Sequence, residues 1–225
     1  MARVLLITGA SSGIGAATAR AAAAAGWQVA LMARSGDKLA ALAAEPVFDG
    51  AALVLPADVA DYAATRDAVA QTVARFGALD AVFANAGRGV STPGTEQGDP
   101  QEWRAVVDAN IMGVLHTAHA ALPALRESRG HMVLTGSAAG RRHISGWVYG
   151  ATKWFVHGYA GNLSEEMRAW GGRCTVIAPG MVDTPFFDSA KPDALRAEAV
   201  ARAVLFALDQ DLGTEMREIF LTPTR

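Results

Sequence analysis

The sequence predicts an α/β fold: one doubly wound domain, with a mostly parallel sheet of six or seven strands and helices on both of its faces. Short apolar runs rich in β-branched residues recur along the chain, as strands covered on both sides require. Longer stretches with apolar residues at helical spacing alternate with them. The first such strand also runs directly into a glycine turn backed by an alanine-rich segment, Arg3-Val-Leu-Leu-Ile-Thr-Gly-Ala-Ser-Ser-Gly-Ile-Gly15 followed by Ala16 to Ala25.

In chain order, Val4 to Ile7 is the first strand, and Gly9, Gly13 and Gly15 permit a tight turn before a helix over Ala16 to Ala25. Gln28 to Ala33 is the second strand, closed by Arg34-Ser35-Gly36-Asp37, and Lys38 to Glu45 the second helix. Ala51 to Leu55 leads through Pro56-Ala57-Asp58-Val59 into a helix over Tyr62 to Phe76, with Asp58 a candidate N-cap. Asp80 to Ala84 ends in Asn85-Ala86-Gly87, and Arg88 to Asp99 is a polar loop at the mouth of a site. Gln101 to Leu122 reads as one long helix, because Val106, Val107, Ile111, Val114, Leu115 and Ala118 recur at helical spacing. His131 to Thr135 delivers Gly136-Ser137 to the carboxyl edge of the sheet, where ligands of such folds collect. A helix follows from Tyr149 to about Trp170, then a strand from Cys174 to Ala178 and the turn Pro179-Gly180-Met181-Val182-Asp183-Thr184-Pro185. A short lid over 185–192, a helix from Asp193 to Leu208 and an edge strand from Glu218 to Leu221 complete one domain spanning 1–225.

Composition narrows the function. With 51% hydrophobic and 19% charged residues the chain can bury a sizeable core, and a net charge of −2 offers no basic face for nucleic acid. Arg141-Arg142 is too short to change that. No stretch approaches the ~20 apolar residues of a membrane span, and the amino terminus lacks a signal-peptide core, so the expected location is the cytoplasm. The single cysteine, Cys174, rules out an intrachain disulfide and reads as a buried strand residue. His116 and His119 stand three apart, but no third ligand follows at metal spacing; the five histidines read as helix-surface residues and no metal is expected. Ser137 sits in no G-x-S-x-G elbow, and the glycine turn lacks the Gly-Lys-Ser/Thr of a nucleotide triphosphatase.

That turn leaves unpaired N–H groups and the positive end of a helix dipole facing one spot, suited to a diphosphate, with Ser11 and Ser12 adding hydroxyl donors. In dinucleotide folds an acid after the second strand binds the adenosine ribose, whereas an arginine there accommodates a 2′-phosphate. The residue here is Arg34, so NADP(H) is expected ahead of NAD(H).

Thr8-Gly-Ala-Ser-Ser-Gly-Ile-Gly15, with Asn110, Ser137 and Tyr149-Gly-Ala-Thr-Lys153 in that order, resembles the short-chain dehydrogenase/reductase family over Arg3 to about Leu221. The resemblance implies a Rossmann domain with cofactor contacts from Gly9, Ser11, Ser12, Gly13, Ile14 and Gly15, and from Arg34. It assigns Asp58 to the adenine amino group with Val59 packed beside it, although Asp58 serves equally as a cap. It lays Asn85, Ala86 and Gly87 against a flat part of the ligand; Ala84 replaces the first residue of the family's N-N-A-G and puts one local hydrogen bond in doubt. It places Pro179, Gly180, Val182 and Thr184 at the nicotinamide amide, Lys153 on the nicotinamide ribose and Asn110 on a water connecting Lys153 to solvent. The carboxyl-terminal sequence resembles a subgroup acting on 3-hydroxy acids and serine-like substrates. The family is commonly tetrameric through its two longest helices, which implies a homotetramer or dimer here, with Trp154, Phe155 and Tyr159 serving either interface or core.

Reducing a carbonyl needs a proton donor beside the forming alkoxide, and oxidising an alcohol needs the same group as base. Tyr149 suits both roles. Lys153, one helical turn on, projects from the same face, and with a positively charged oxidised nicotinamide nearby would lower the phenol from its ordinary pKa of ~10. Ser137 would hydrogen-bond the substrate oxygen. The pocket for a small ketone, aldehyde or alcohol is expected to be lined by Trp147, Met181, Phe186 and Phe187, with His143 and Arg88 at its mouth and Arg88, Arg141 or Arg142 available to a carboxylate. A non-catalytic NADP(H) sensor of the same fold is the rival reading, and the proton-donor set argues against it. An epimerase or dehydratase would need a larger carboxyl-terminal domain.

Overall fold

The computed structural model describes residues 2–224. Its centre is a seven-stranded sheet in the order β3-β2-β1-β4-β5-β6-β9, every pairing parallel. The strands are β1 (Val4–Thr8), β2 (Gln28–Ala33), β3 (Ala52–Pro56), β4 (Ala81–Ala84), β5 (His131–Thr135), β6 (Arg173–Pro179) and β9 (Glu218–Leu221). Leu5 of β1 lies beside Val29 of β2 on one side and Ala81 of β4 on the other. The chain therefore winds outward from β1 to β3, returns, and winds outward again through β4. The carboxyl ends of β1 and β4, where the winding reverses, flank a natural crevice.

Alternate strand residues feed two cores. Leu6, Met32, Val82, Met132 and Leu134 are buried on one face under α3 (Tyr62–Phe76), α5 (Gly113–Ser128) and α6 (Val148–Arg168). Leu5, Ile7, Leu31, Phe83, Val133 and Ile177 are buried on the other under α1 (Gly13–Ala24), α2 (Gly36–Ala43) and α7 (Ala197–Leu208). Period-two alternation with apolar residues on both faces is what a parallel sheet sandwiched between helix layers requires. Cys174 is buried in β6, and burial raises its thiol pKa well above the ordinary range. Among the described residues no helix is long and apolar enough to cross a membrane.

Four local expectations are corrected. The helix expected over Gln101 to Leu122 is α4 (Pro100–Val107), a π-helical turn over Asp108–Met112 and then α5, which passes through Pro123 to Ser128. Gly113 N–H reaches back five residues to the carbonyl of Asp108, and a Cβ at Gly113 would meet Val59 Cγ2 at 2.6 Å, so the wide turn is seated against the β3–α3 loop. The cap of α3 is Asp61, whose carboxylate accepts from Ala64 N–H, while Asp58 turns back to Ala60 N–H. The last long helix begins at Ala197 rather than Asp193, because Leu195–Arg196 (β8) pairs with Val182–Asp183 (β7) and ties the base of the 184–194 loop. Two histidines leave the helix-surface group: His131 is buried in β5, and the His157 side chain on α6 is 8% exposed and faces the sheet.

Candidate active site

A cleft of about 810 Å³ opens along the carboxyl ends of the strands. Its floor begins at the glycine turn. Gly9 and Gly13 have φ of +66° and +53°, which disfavour side chains, and a Cβ on Gly9 would stand 2.9 Å from Ala86 Cα. A Cβ on Gly15 would meet Gly9 O at 2.2 Å, so Gly15 supports the turn from behind, while Gly9, Ser11, Ser12, Gly13 and Ile14 line the cleft. Ser12 is the N-cap of α1, yet its side chain makes no capping bond. The first-turn N–H groups are thus left without a side-chain cap, a donor set suited to a diphosphate.

Thr8 and Asn85 lace β1 to β4. Thr8 Oγ1 accepts from Asn85 N–H and Ala86 N–H, each at 3.0 Å, and Asn85 Nδ2 donates to Thr8 O at 3.1 Å. These bonds hold the Asn85-Ala86-Gly87 wall despite Ala84. Ala33, Arg34, Ser35, Asp58 and Val59 line one end of the cleft; Arg34 is exposed and forms no ion pair among the described residues.

Asn110 is 1% exposed, and the π turn aims its amide into the protein. Its Oδ1 accepts from Arg88 N–H at 2.9 Å, and its Nδ2 donates to Arg88 O and to Thr152 Oγ1, each at 3.0 Å. These bonds fasten the loop after β4 to α6.

Tyr149, Ser137 and Lys153 meet at the cleft wall. The Tyr149 ring lies 5.0 Å from that of Trp147 and 5.6 Å from that of Phe186, centre to centre. Burial pushes its pKa up to about 12, partly offset by Ser137, so the phenol keeps its proton at neutral pH. Lys153, with an oxidised nicotinamide beside it, was expected to pull that value down. In the structure its Nζ donates to Thr135 O at 2.7 Å and stands 5.6 Å from the Tyr149 ring centre, and its own pKa is lowered to about 8 by burial. Ser137 Oγ accepts from Ala139 N–H at 3.1 Å and turns the chain back beside the phenol.

Pro179, Gly180, Met181, Val182, Thr184, Phe186 and Phe187 form the far wall, with Trp147 opposite; Met181 and Phe186 are 51% and 43% exposed at the rim. Arg88 and Arg142 reach the cleft, whereas Arg141 is paired with Glu218. His143 does not line it: the ring stacks on Trp154 at 5.3 Å on the outer side of α6. Phe155 and Tyr159 pack on the core, and Trp154 is 42% exposed. Thr8, Thr135 and Thr152 were not singled out from the sequence, since a threonine has no local signature for such bonds.

An open helix end suited to a diphosphate and a protonated phenol share one cleft, an arrangement that a dinucleotide-dependent oxidoreductase requires. The chain belongs to the short chain dehydrogenase family, whose model matches residues 3–195. A Staphylococcus epidermidis protein described as an uncharacterized oxidoreductase is 34% identical over 226 residues, covering 98% of this chain and 97% of that one. Among solved structures, an alcohol dehydrogenase from the archaeon Thermococcus sibiricus complexed with 5-hydroxy-NADP aligns with a TM-score of 0.90 and 30% identity over 100% of this chain and 97% of that one. Serine dehydrogenase from Escherichia coli aligns with a TM-score of 0.88 and 27% identity, covering 98% and 97%.

Proposed function

We propose that the protein is an NADP(H)-dependent carbonyl reductase or alcohol dehydrogenase, interconverting a small ketone or aldehyde with its alcohol. The observation that carries this reading is the Tyr149 phenol, held protonated in the cleft beside Ser137. A bound nicotinamide dinucleotide supplies or takes the hydride. Tyr149 gives its proton to the substrate oxygen in reduction and recovers it in oxidation, Ser137 donates a hydrogen bond to that oxygen, and Lys153 places a positive charge near the phenolate that forms. Trp147, Met181, Phe186 and Phe187 enclose the substrate, and the loop over 185–192 acts as its lid.

Arg34 favours the 2′-phosphate of NADP(H), because a guanidinium binds phosphate bidentately. The alcohol dehydrogenase neighbour carries 5-hydroxy-NADP, which supports the same cofactor. Likeness to serine dehydrogenase supports a 3-hydroxy acid among the substrates, with Arg88 or Arg142 meeting its carboxylate. The protein is taken to act in the cytoplasm as a homotetramer or dimer, in keeping with exposed Met112 and Trp154 along its two longest helical segments. The test is a panel of carbonyl compounds followed by NADPH consumption, run alongside Tyr149→Phe. Turnover should vanish in the variant while NADPH binding, read by nicotinamide fluorescence, stays within a few-fold; full turnover without the phenol would refute the assignment.

A further inference from the structure

His157 lies one helical turn beyond Lys153 and two beyond Tyr149, so the three side chains share a face of α6. Residues 135–137 cross that face. Lys153 fastens Thr135 O, and the His157 ring meets the next main-chain groups: its Nε2 is 3.4 Å from Ser137 N and 3.2 Å from Ser137 O. The ring is wedged between two glycines. A Cβ on Gly136 would stand 2.7 Å from His157 Nε2, and one on Gly140 would stand 2.6 Å from Cδ2. The turn carrying Ser137 is therefore shaped around an imidazole.

The turn is held at its other end as well. Arg141, just past it, donates to Glu218 Oε1 of β9 at 3.0 Å, and the same oxygen lies 3.8 Å from His157 Nδ1. Arg141 and Glu218 thus brace the far end of the turn, while His157 Nδ1, at 3.8 Å from the carboxylate, has no hydrogen-bond partner. A single Nε2 cannot donate and accept at once. With its proton on Nε2 the ring donates to Ser137 O at 3.2 Å, and with the proton on Nδ1 its Nε2 accepts from Ser137 N–H at 3.4 Å; in both tautomers the ring is bonded to the Ser137 main chain. Burial and the nearby Arg141 and Lys153 cations lower its pKa, against the opposing effect of the Ser137 bond.

We propose that His157 is a positioning residue: its Nε2, bonded to the Ser137 main chain in a turn shaped around the ring, holds the Ser137 hydroxyl toward the substrate oxygen. This rests on Ser137 acting in the carbonyl chemistry proposed above. His157 touches neither substrate nor cofactor; it acts through the turn, where a displacement of about 1 Å can cost roughly 100-fold in rate.

Two measurements test it. In the first, His157→Leu removes the polar ring nitrogen and His157→Gln restores a polar group of similar reach. The leucine variant should lose about 10- to 100-fold in kcat with KM for NADPH unchanged, and the glutamine variant should recover most of that loss. Wild-type kcat in the leucine variant, or equal impairment in both, overturns the proposal. The second uses the unaltered protein: long-range ¹H–¹⁵N correlation spectra should show His157 as a neutral ring in one tautomer, as a ring fixed on the Ser137 main chain requires, and an exchanging mixture of tautomers overturns the proposal whether or not the leucine variant folds. An unaltered protein with no NADPH-dependent turnover would defeat the proposed activity instead, and the spectra would still report the tautomer.

Discussion

Lys153 donates to the carbonyl of Thr135 at 2.7 Å, so the cation is anchored to the sheet and faces the Tyr149 ring from 5.6 Å. Burial is the largest influence on both groups. The phenol rises to about 12 and the ammonium falls to about 8, which makes Lys153 the first of the pair to lose a proton as pH rises. Its charge is needed when the phenolate forms.

The rate of carbonyl reduction should accordingly be level through neutral pH and fall as pH passes about 8, while Tyr149 still holds its proton. The sign follows from Lys153, whose cationic form is lost on the alkaline side. The profile of kcat/KM for NADPH reports groups of the free enzyme. A profile that stays level well beyond that pH would remove Lys153 charge from the account.

Arg34→Asp should move cofactor preference toward NAD. The side chain is exposed at the cleft edge, so the exchange disturbs no packing and replaces an attraction for the 2′-phosphate with a repulsion. A charged hydrogen bond contributes about 1.5–3 kcal/mol, which corresponds to a shift of roughly 10- to 100-fold in the ratio of specificity constants. An unchanged ratio would exclude Arg34 from cofactor choice.

Asn110→Ala should weaken both stability and turnover. It removes the partner of Arg88 N–H and Arg88 O around a side chain that is 1% exposed, while Thr152 Oγ1 keeps its bond to Tyr149 O. Each unsatisfied buried group costs about 1–3 kcal/mol, and 1 kcal/mol lowers Tm by roughly 2–4 °C at this chain length. Calorimetry showing no change would mean that the loop after β4 is held elsewhere.

Gly15→Ala should destabilise the glycine turn without removing any cleft-lining atom. The new methyl group would lie 2.2 Å from Gly9 O, and overpacking of this kind costs about 1–3 kcal/mol. A lowered Tm together with weaker NADPH binding is expected; an unchanged Tm would show that the turn relaxes freely.

How far the sequence could be read depended on the range of the interactions involved. The glycine turn is encoded within a few residues, and Tyr149 and Lys153 share a face through helical geometry alone. The π turn at Asn110 was invisible, because a helical pattern does not reveal whether an N–H bonds four or five residues back. That choice lies with contacts from Val59, Arg88 and Thr152. His143 and His157 exchanged environments for a similar reason: one stacks outward on Trp154, and the other turns inward because Gly136 and Gly140 leave it room.

By itself the sequence determined the alternation of strand and helix, the glycine turn, Arg34 after β2 and the spacing of the tyrosine and lysine, all set by local backbone preference and hydrophobic period. Tertiary structure alone decided that Lys153 grips Thr135, that Asn110 clamps Arg88 and that the phenol is buried. Hydrogen bonds between residues far apart in the chain, and the water excluded around them, exist only once the sheet and α6 have closed on each other.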